Sequence, residues 1–177
     1  RQDGEEEEAV IVTRSGKCSQ APLALGDLVC VTDFSRDRWT CKYEAPCGSS
    51  KSEAGGEVLP TSDTPLCWLA LKGGRYLQHH HHQLERPPGW TDMPRVALHG
   101  HALEDGVLAR QAGIPVSVTA TECSTPEDYD AMVDLFSRYS YPEHKVFVRL
   151  GHGFFILGSS VEETLALFRE QIVPLLS

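Results

Sequence analysis

The chain has 177 residues, enough for one domain of ordinary size and too few for two. Apolar residues make up 41% of it and charged residues 23%, values typical of globular proteins and unlike those of disordered or fibrous chains. The 25 acidic residues outnumber the 16 basic ones, and the basic residues form no cluster. Because a net charge of -9 repels a phosphate backbone, nucleic acid and anionic membranes are excluded as expected partners.

Cysteine usage and hydropathy indicate the compartment. The six cysteines contain no C-x-x-C pair and no framework typical of a small secreted domain, so we expect free thiols in a reducing environment. The longest uninterrupted apolar run, Leu66 to Leu71, is far shorter than the roughly 20 residues that a membrane helix needs. The sequence opens with Arg1 and the acidic run Glu5–Glu8, so we expect no signal peptide. The expectation is a soluble, cytoplasmic protein with no membrane partner.

The first part of the chain is predicted to be rich in strands. Ala9–Thr13 and Leu28–Thr32 combine β-branched and apolar residues between turn-forming segments, which predicts two strands. A short helix is predicted next, because Ser62 or Asp63 can cap it and Pro65 suits its first turn.

Two segments are predicted to be irregular. Ala45–Gly56 is rich in Gly, Ser, Pro and Glu without periodicity, which is typical of a loop. Gly73–Pro94 is predicted to be mostly an exposed excursion, and it contains the run His79–His82. We expect this run to bind transition metals adventitiously rather than to form a designed site.

The rest of the chain alternates strands with helices. Four apolar segments are predicted as strands, namely Arg95–Leu98, Ile114–Thr119, Lys145–Leu150 and Phe154–Leu157. One helix is predicted over Leu103–Ala112, and Gly113 would end it. A second is predicted to start at Ser124–Asp128 and to end near Tyr141-Pro142. A last helix is predicted from a capping box of Ser159 or Ser160 with Glu162 or Glu163, and from an apolar stripe of Val161, Leu165, Phe168 and Ile172. This order predicts an α/β layered domain with a mixed sheet.

Three histidines have spacing that suggests a metal site. Residues i and i+2 of a strand point the same way, so His99 and His101 present two imidazoles from one face. Imidazole is a favoured zinc donor, and a catalytic zinc commonly has three protein ligands. His152 lies between two glycines, where a ligand can come close. Taken singly, these motifs also fit surface histidines and a turn, and Asp63 also fits a helix cap.

In combination, the motifs resemble those of the class II aldolase/adducin family. Val12–Lys17 is similar to the family's T-P-S-G turn, and Leu25–Val31 to the strand segment that follows it. Pro60–Pro65 is similar to P-S-S-[ED], His99-Gly100-His101 to H-x-H, and Leu150–Gly153 to the later H-G motif. The matches occur in the family's order and span roughly residues 11 to 173.

This resemblance implies a three-layer α/β/α fold with a central mixed, largely antiparallel sheet, assembled as a homotetramer. It implies that His99, His101 and His152 bind a divalent metal, most often Zn2+, and that Asp63 is either the acid/base or a fourth ligand. The metal would stabilise the enediolate left when a C–C bond of a ketose phosphate breaks. The substrate phosphate would be bound at turns and a helix start, by Ser15, Gly16, Thr61 and Ser62.

Several features depart from the family's pattern. Only Arg1–Ala9 are present where the family has an early helix and a G-N-x-S phosphate segment, and the chain ends at Ser177 without the tyrosine-bearing tail of some members. Cys67 stands where many relatives have His. The resemblance implies one class II aldolase/adducin-like domain over residues 1–177 that lacks the family's N-terminal helix segment, with zinc-dependent lyase or sugar-phosphate epimerase activity. A methylthioribulose-phosphate dehydratase-like enzyme, a noncatalytic adducin-like interaction module and an unrelated α/β domain are the alternatives.

Overall fold

The computed structural model describes residues 9–17, 21–44, 58–72, 87 and 89–177. The predicted loop Ala45–Gly56 and the run His79–His82 lie outside the described residues. The chain divides into two compact units, of which the first ends at Cys67 and the second begins at Trp68.

The first unit contains a three-stranded antiparallel sheet in the order β1-β2-β3. Its strands are β1 (Val10–Thr13), β2 (Leu28–Ser35) and β3 (Thr40–Glu44). The buried side chains of β1 and β2 alternate with more exposed ones, as expected for a sheet with one covered face: Val10, Val12, Val29 and Val31. The first two predicted strands are confirmed. The sequence prediction missed β3, because its residues are at most half-buried and alternate with exposed polar ones.

The helix predicted after Pro60 is confirmed as α1, Thr64–Lys72. Pro65 occupies its first turn, where the missing N–H costs no helical hydrogen bond. The Thr64 hydroxyl donates to the carbonyl of Thr61 at 2.6 Å, which fixes the chain entering the helix. The division between the two units falls inside α1.

The second unit contains a three-stranded antiparallel sheet in the order β4-β6-β5. Its strands are β4 (Val96–Gly100), β5 (Val146–Arg149) and β6 (Gly153–Gly158). Every residue of β5 and β6 is buried, which explains the nearly continuous apolar runs in their sequences. Phe154 and Ile156 of β6 join Val146 and Val148 of β5 in the core, together with Ile172.

Two predictions between β4 and β5 are wrong in extent. The predicted strand Ile114–Thr119 forms a single parallel bridge, between Val116 and Val148. Pro115 within it has no N–H to donate to a ladder, which shortens the pairing. The predicted helix Leu103–Ala112 is reduced to α2, Val107–Gln111, since Leu103 and Gly106 have positive φ values of 62° and 66°.

The two later helices are confirmed. Helix α3, Pro126–Arg138, starts at the N-cap Thr125, and α4, Val161–Leu167, starts at the N-cap Ser160. A π-helical turn, Phe168–Ile172, follows α4. The stripe predicted for this last segment is wrong at its start, because Val161 and Leu165 are exposed. Thr164 is buried instead and packs against Gly158. A side chain at position 158 would collide with the Thr164 hydroxyl.

The α/β class predicted from the sequence is confirmed. The described strands form two small antiparallel sheets rather than one central sheet. No helix in the described part of the chain is long and apolar enough to cross a membrane.

The N-terminus of α4 makes a pH-dependent contribution to stability. The ion pair with Lys145, together with hydrogen bonds from the hydroxyl and N–H of Ser159, lowers the pKa of Glu163 from 4.5 to about 2. A carboxylate with a lowered pKa stabilises the fold above its unfolded pKa and loses that contribution as the pH falls through its folded pKa. The contribution of Glu163 should therefore disappear between about pH 4.5 and pH 2.

We expect Glu163→Gln to lower the free energy of unfolding at pH 7 by roughly 0.5–1 kcal/mol, because the pair is partly exposed. The difference between parent and variant should shrink as the pH falls toward 2, measured by denaturant unfolding. Glu170→Gln, an exposed position in the following turn, is the control. A parent–variant difference that stays constant from pH 7 to pH 3 would contradict this account.

Candidate metal centre

The sheet of the second unit positions the three histidines. Because β6 lies between β4 and β5, its first residues pair with the end of β4 on one side and the end of β5 on the other. His99 pairs with Phe155, and Arg149 pairs with Gly153. The turn between β5 and β6, which carries His152, therefore lies beside the residues that end and follow β4.

The three imidazoles form a close cluster. The ring centroids of His99 and His152 are 4.6 Å apart, those of His99 and His101 4.8 Å, and those of His101 and His152 5.2 Å. Each histidine offers a ring nitrogen within 4.8 Å of those of the other two. His152 is fully buried, His99 is half-buried and His101 is exposed, so the cluster opens on the side of His101. The ring of Phe155 stacks on His99 at 4.2 Å.

Hydrogen bonds at Nδ1 orient two of the rings. His99 Nδ1 lies 2.8 Å from the carbonyl oxygen of Phe154, and His152 Nδ1 lies 2.7 Å from Oδ2 of Asp128. A carbonyl and an ionised carboxylate only accept hydrogen bonds, so Nδ1 must be the donor in each pair. A neutral ring that donates through Nδ1 carries its lone pair on Nε2. In the neutral form of either ring, Nε2 is therefore the atom that can bind a metal.

The donor set fits a divalent transition metal, because imidazole nitrogen is a good ligand for zinc, copper, iron and nickel. Three imidazole nitrogens match the ligand number of a catalytic zinc, which keeps a further position open for water or substrate. Histidine ligands characteristically donate their second N–H to a carboxylate or a backbone carbonyl, as His152 and His99 do. The assignment of the three histidines as metal ligands stays a prediction.

A buried charge network lies behind His152. Asp128, Arg149 and His152 are each 0% exposed. Arg149 donates to Oδ1 of Asp128 from Nε at 3.1 Å and from Nη2 at 2.8 Å. Burial raises the pKa of Asp128, but the hydrogen bonds from His152 and Arg149 outweigh it and hold the pKa below its ordinary value. The carboxylate is therefore ionised at neutral pH.

No sequence motif marks Asp128 or Arg149 as part of the site. Asp128 belongs to a predicted helix start, and Arg149 to a predicted apolar strand. The signal that could have found them is the arginine itself, since a charge within Lys145–Leu150 would be buried and need a partner.

Two glycines allow β4 and β6 to approach closely at the cluster. A Cβ at Gly153 would lie 2.2 Å from the carbonyl oxygen of Gly100 and 3.0 Å from Cα of His101. A Cβ at Gly100 would lie 2.5 Å from the ring of Phe154. Gly153 also has a φ of +131°, which other residues rarely adopt. The glycine that follows His152 is thus required by the packing of the strands beneath the site.

The predicted phosphate-binding residues lie in the first unit and are brought together there. Ser15 and Gly16 form the turn after β1, and Thr61 and Ser62 precede α1. The two segments are joined by backbone hydrogen bonds, from Ser15 N–H to the carbonyl of Leu59 at 2.8 Å and from Thr61 N–H to that of Thr13 at 2.9 Å. These two N–H groups are therefore occupied, and a phosphate would need the hydroxyls and other N–H groups.

An open pocket of about 270 Å³ adjoins this part of the first unit. Thr61 and Ser62 line it together with the aromatic residues Phe34, Trp39 and Tyr43. The pocket therefore combines hydroxyl groups with an apolar wall.

Asp63 also belongs to the first unit and immediately precedes α1. The Thr61 hydroxyl donates to Oδ2 of Asp63 at 3.1 Å. The Asp63 backbone carbonyl accepts from the N–H groups of Leu66 and Cys67 at 3.0 Å. The assignment of Asp63 as acid/base or fourth ligand stays a prediction.

Cys67 lies in helix α1. Burial raises the pKa of its thiol to about 12, so the thiol stays protonated at neutral pH.

No protein-family model, curated protein or solved structure matches this chain. Its function must therefore be inferred from the site itself and from the motifs of the sequence.

Replacement of Gly153 tests whether close packing shapes the site. We expect Gly153→Ala to lower the free energy of unfolding by about 3 kcal/mol or more, because it adds both backbone strain and a collision with Gly100. Gly113→Ala is the matched control, since Gly113 has a φ of +74° with open space around its Cβ position. The control should lose only about 1–2 kcal/mol, the cost of the left-handed conformation. Equal losses in urea unfolding would show that the strands do not approach as closely as described.

Proposed function

We propose that His99, His101 and His152 hold one divalent metal ion, and that the chain is a zinc-dependent enzyme of the aldolase or epimerase type. The observation that carries this proposal is a close cluster of three imidazoles in which His99 and His152 are both anchored through Nδ1, which leaves Nε2 as the lone-pair atom of each neutral ring. A group of surface histidines would not need a buried carboxylate behind one ring and a strand carbonyl behind another.

The proposed substrate is a phosphorylated ketose. A divalent metal bound by the three histidines supplies Lewis acidity, which stabilises negative charge on the carbonyl and hydroxyl oxygens of such a substrate. His101 is exposed and His152 is buried, so a ligand can approach the three histidines from the side of His101. The order of the family-like motifs along the chain supports this substrate class. The same order supports a three-layer class II aldolase-like fold within the α/β class.

The chain's own residues have separable tasks in this proposal. His152 and its buried partner Asp128 provide a ligand that is held rigidly, and His99 is fixed by the carbonyl of Phe154. Ser15 and Thr61 lie on hydrogen-bonded neighbouring segments of the first unit and are proposed to bind the phosphate. Asp63 is proposed, from the motif resemblance, as acid/base or as a fourth ligand.

Metal content tests the first half of the proposal. The protein is prepared with His79–His82 replaced by Ser, so that this run cannot load metal by itself. We expect about one zinc per chain by elemental mass spectrometry, and its loss in the further variant His99→Ala plus His101→Ala. His144→Ala is the control, because His144 is a histidine of the same unit whose ring contacts Tyr139 rather than the cluster. A parent without retained metal, or a double variant that keeps it, would refute the metal site.

Turnover of a panel of ketose phosphates tests the second half. We expect retro-aldol cleavage or epimerisation that requires the metal and disappears with it. Loss of water from a methylthioribulose phosphate would instead establish the dehydratase alternative. A metal-loaded protein that converts none of these substrates would favour the noncatalytic, adducin-like module.

A further inference from the structure

Asp128 joins the metal-binding cluster to a buried cation. Its Oδ2 accepts from His152 Nδ1 at 2.7 Å, and its Oδ1 accepts from the guanidinium of Arg149 at 2.8 Å. Thr121 donates its hydroxyl to Oδ1 at 3.2 Å, and the Ser124 N–H donates to Oδ2 at 3.3 Å. Both carboxylate oxygens are thus bound by donors from different parts of the second unit.

We propose that Asp128 is a positioning residue of the metal centre. It fixes the tautomer and the rotation of the His152 ring, and Arg149 holds Asp128 in the orientation that this requires. The proposal rests on the proposed metal function for its purpose, but the hydrogen-bond geometry is independent of any metal. Neither Asp128 nor Arg149 is assigned to contact the metal or the substrate.

A helix-capping role does not explain these contacts. Asp128 is the third residue of α3, and Glu163 occupies the same position in α4. Glu163 accepts from the N–H of Ser159 at 2.6 Å and pairs with Lys145 at 2.5 Å, and both side chains of that pair are partly exposed, unlike those of Asp128 and His152. The corresponding contact of Asp128, with the Ser124 N–H, is longer at 3.3 Å, and its shortest contact is with His152.

The location of Arg149 agrees with a positioning role. Removing a guanidinium and a carboxylate from water is costly, and a well-packed apolar pair could fill the same space. The guanidinium binds Oδ1 through both Nε and Nη2, and its Nη1 donates to the carbonyl of Thr119 at 3.4 Å. Both donors converge on Oδ1, so Arg149 occupies that oxygen and His152 binds the other, Oδ2.

The tautomer is measured first, in metal-free protein. Replacement of His79–His82 by Ser leaves four of the eight histidines, so the imidazole nitrogens can be assigned by 15N NMR. We expect His152 to carry its proton on Nδ1 in the parent and to gain the Nε2–H tautomer in Asp128→Ala. Asp134→Asn, an exposed position on the same helix, is the matched control and should match the parent. A parent in which His152 is protonated only on Nε2 overturns the proposal without any variant.

Metal affinity is measured second, with Co2+ as the probe. We expect Asp128→Ala to bind Co2+ about 10- to 100-fold more weakly than the parent and to change the visible spectrum of the bound ion. Asp128→Asn, which keeps an oxygen that can accept from Nδ1, should lose less than the alanine variant and also serves if the latter fails to fold. Unchanged affinity in both folded variants, with an unchanged His152 tautomer, overturns the proposal.

Failure of this proposal is distinguishable from failure of the metal function. A parent that binds no Co2+ refutes the metal site, and the nitrogen spectra then decide the role of Asp128 alone. If both Asp128 variants bind Co2+ as tightly as the parent and keep its His152 tautomer, the metal site stands and the positioning role is refuted.

Discussion

The pairing of β6 with β4 on one side and β5 on the other is the constraint on which the candidate site depends. This pairing places the turn that carries His152 beside the end of β4, where His99 and His101 stand. The approach is close enough that neither Gly100 nor Gly153 has room for a side chain. A sheet of only three strands thus brings together residues that are more than 50 positions apart in the sequence.

The electrostatics of the second unit reinforce this geometry. A buried carboxylate, guanidinium and imidazole satisfy one another's hydrogen bonds, and removal of one partner from such a buried pair typically costs about 3–5 kcal/mol. The network therefore holds the His152 ring through its Nδ1, beside the other two histidines. Rigid support of this kind is what a metal site requires of the shell behind its ligands.

Local patterns in the sequence predicted what depends on neighbouring residues. The capped starts of α3 and α4 and the apolar runs of β5 and β6 were visible, because caps and runs are local signals. Strand β3 was missed because its side chains alternate without strong burial, and Ile114–Thr119 was overextended because Pro115 limits its pairing.

The site was predictable only in part for a related reason. H-x-H and G-H-G are short motifs, so the three histidines could be named before their contacts were known. The pairing of Asp128 with Arg149 joins residues 21 positions apart on different elements, and only the tertiary fold reveals it. The charge of Arg149 in an apolar strand is visible in the sequence, but no local pattern identifies Asp128 as its partner.

X-ray absorption at the zinc edge tests the central claim most directly. The zinc-loaded protein, with His79–His82 replaced by Ser, should show three imidazole nitrogens at about 2.0–2.1 Å and no sulfur ligand. Replacement of His152 by Ala should remove one of these nitrogens. A sulfur ligand at about 2.3 Å, or a spectrum unchanged by the His152 replacement, would contradict a metal centre built on these three histidines.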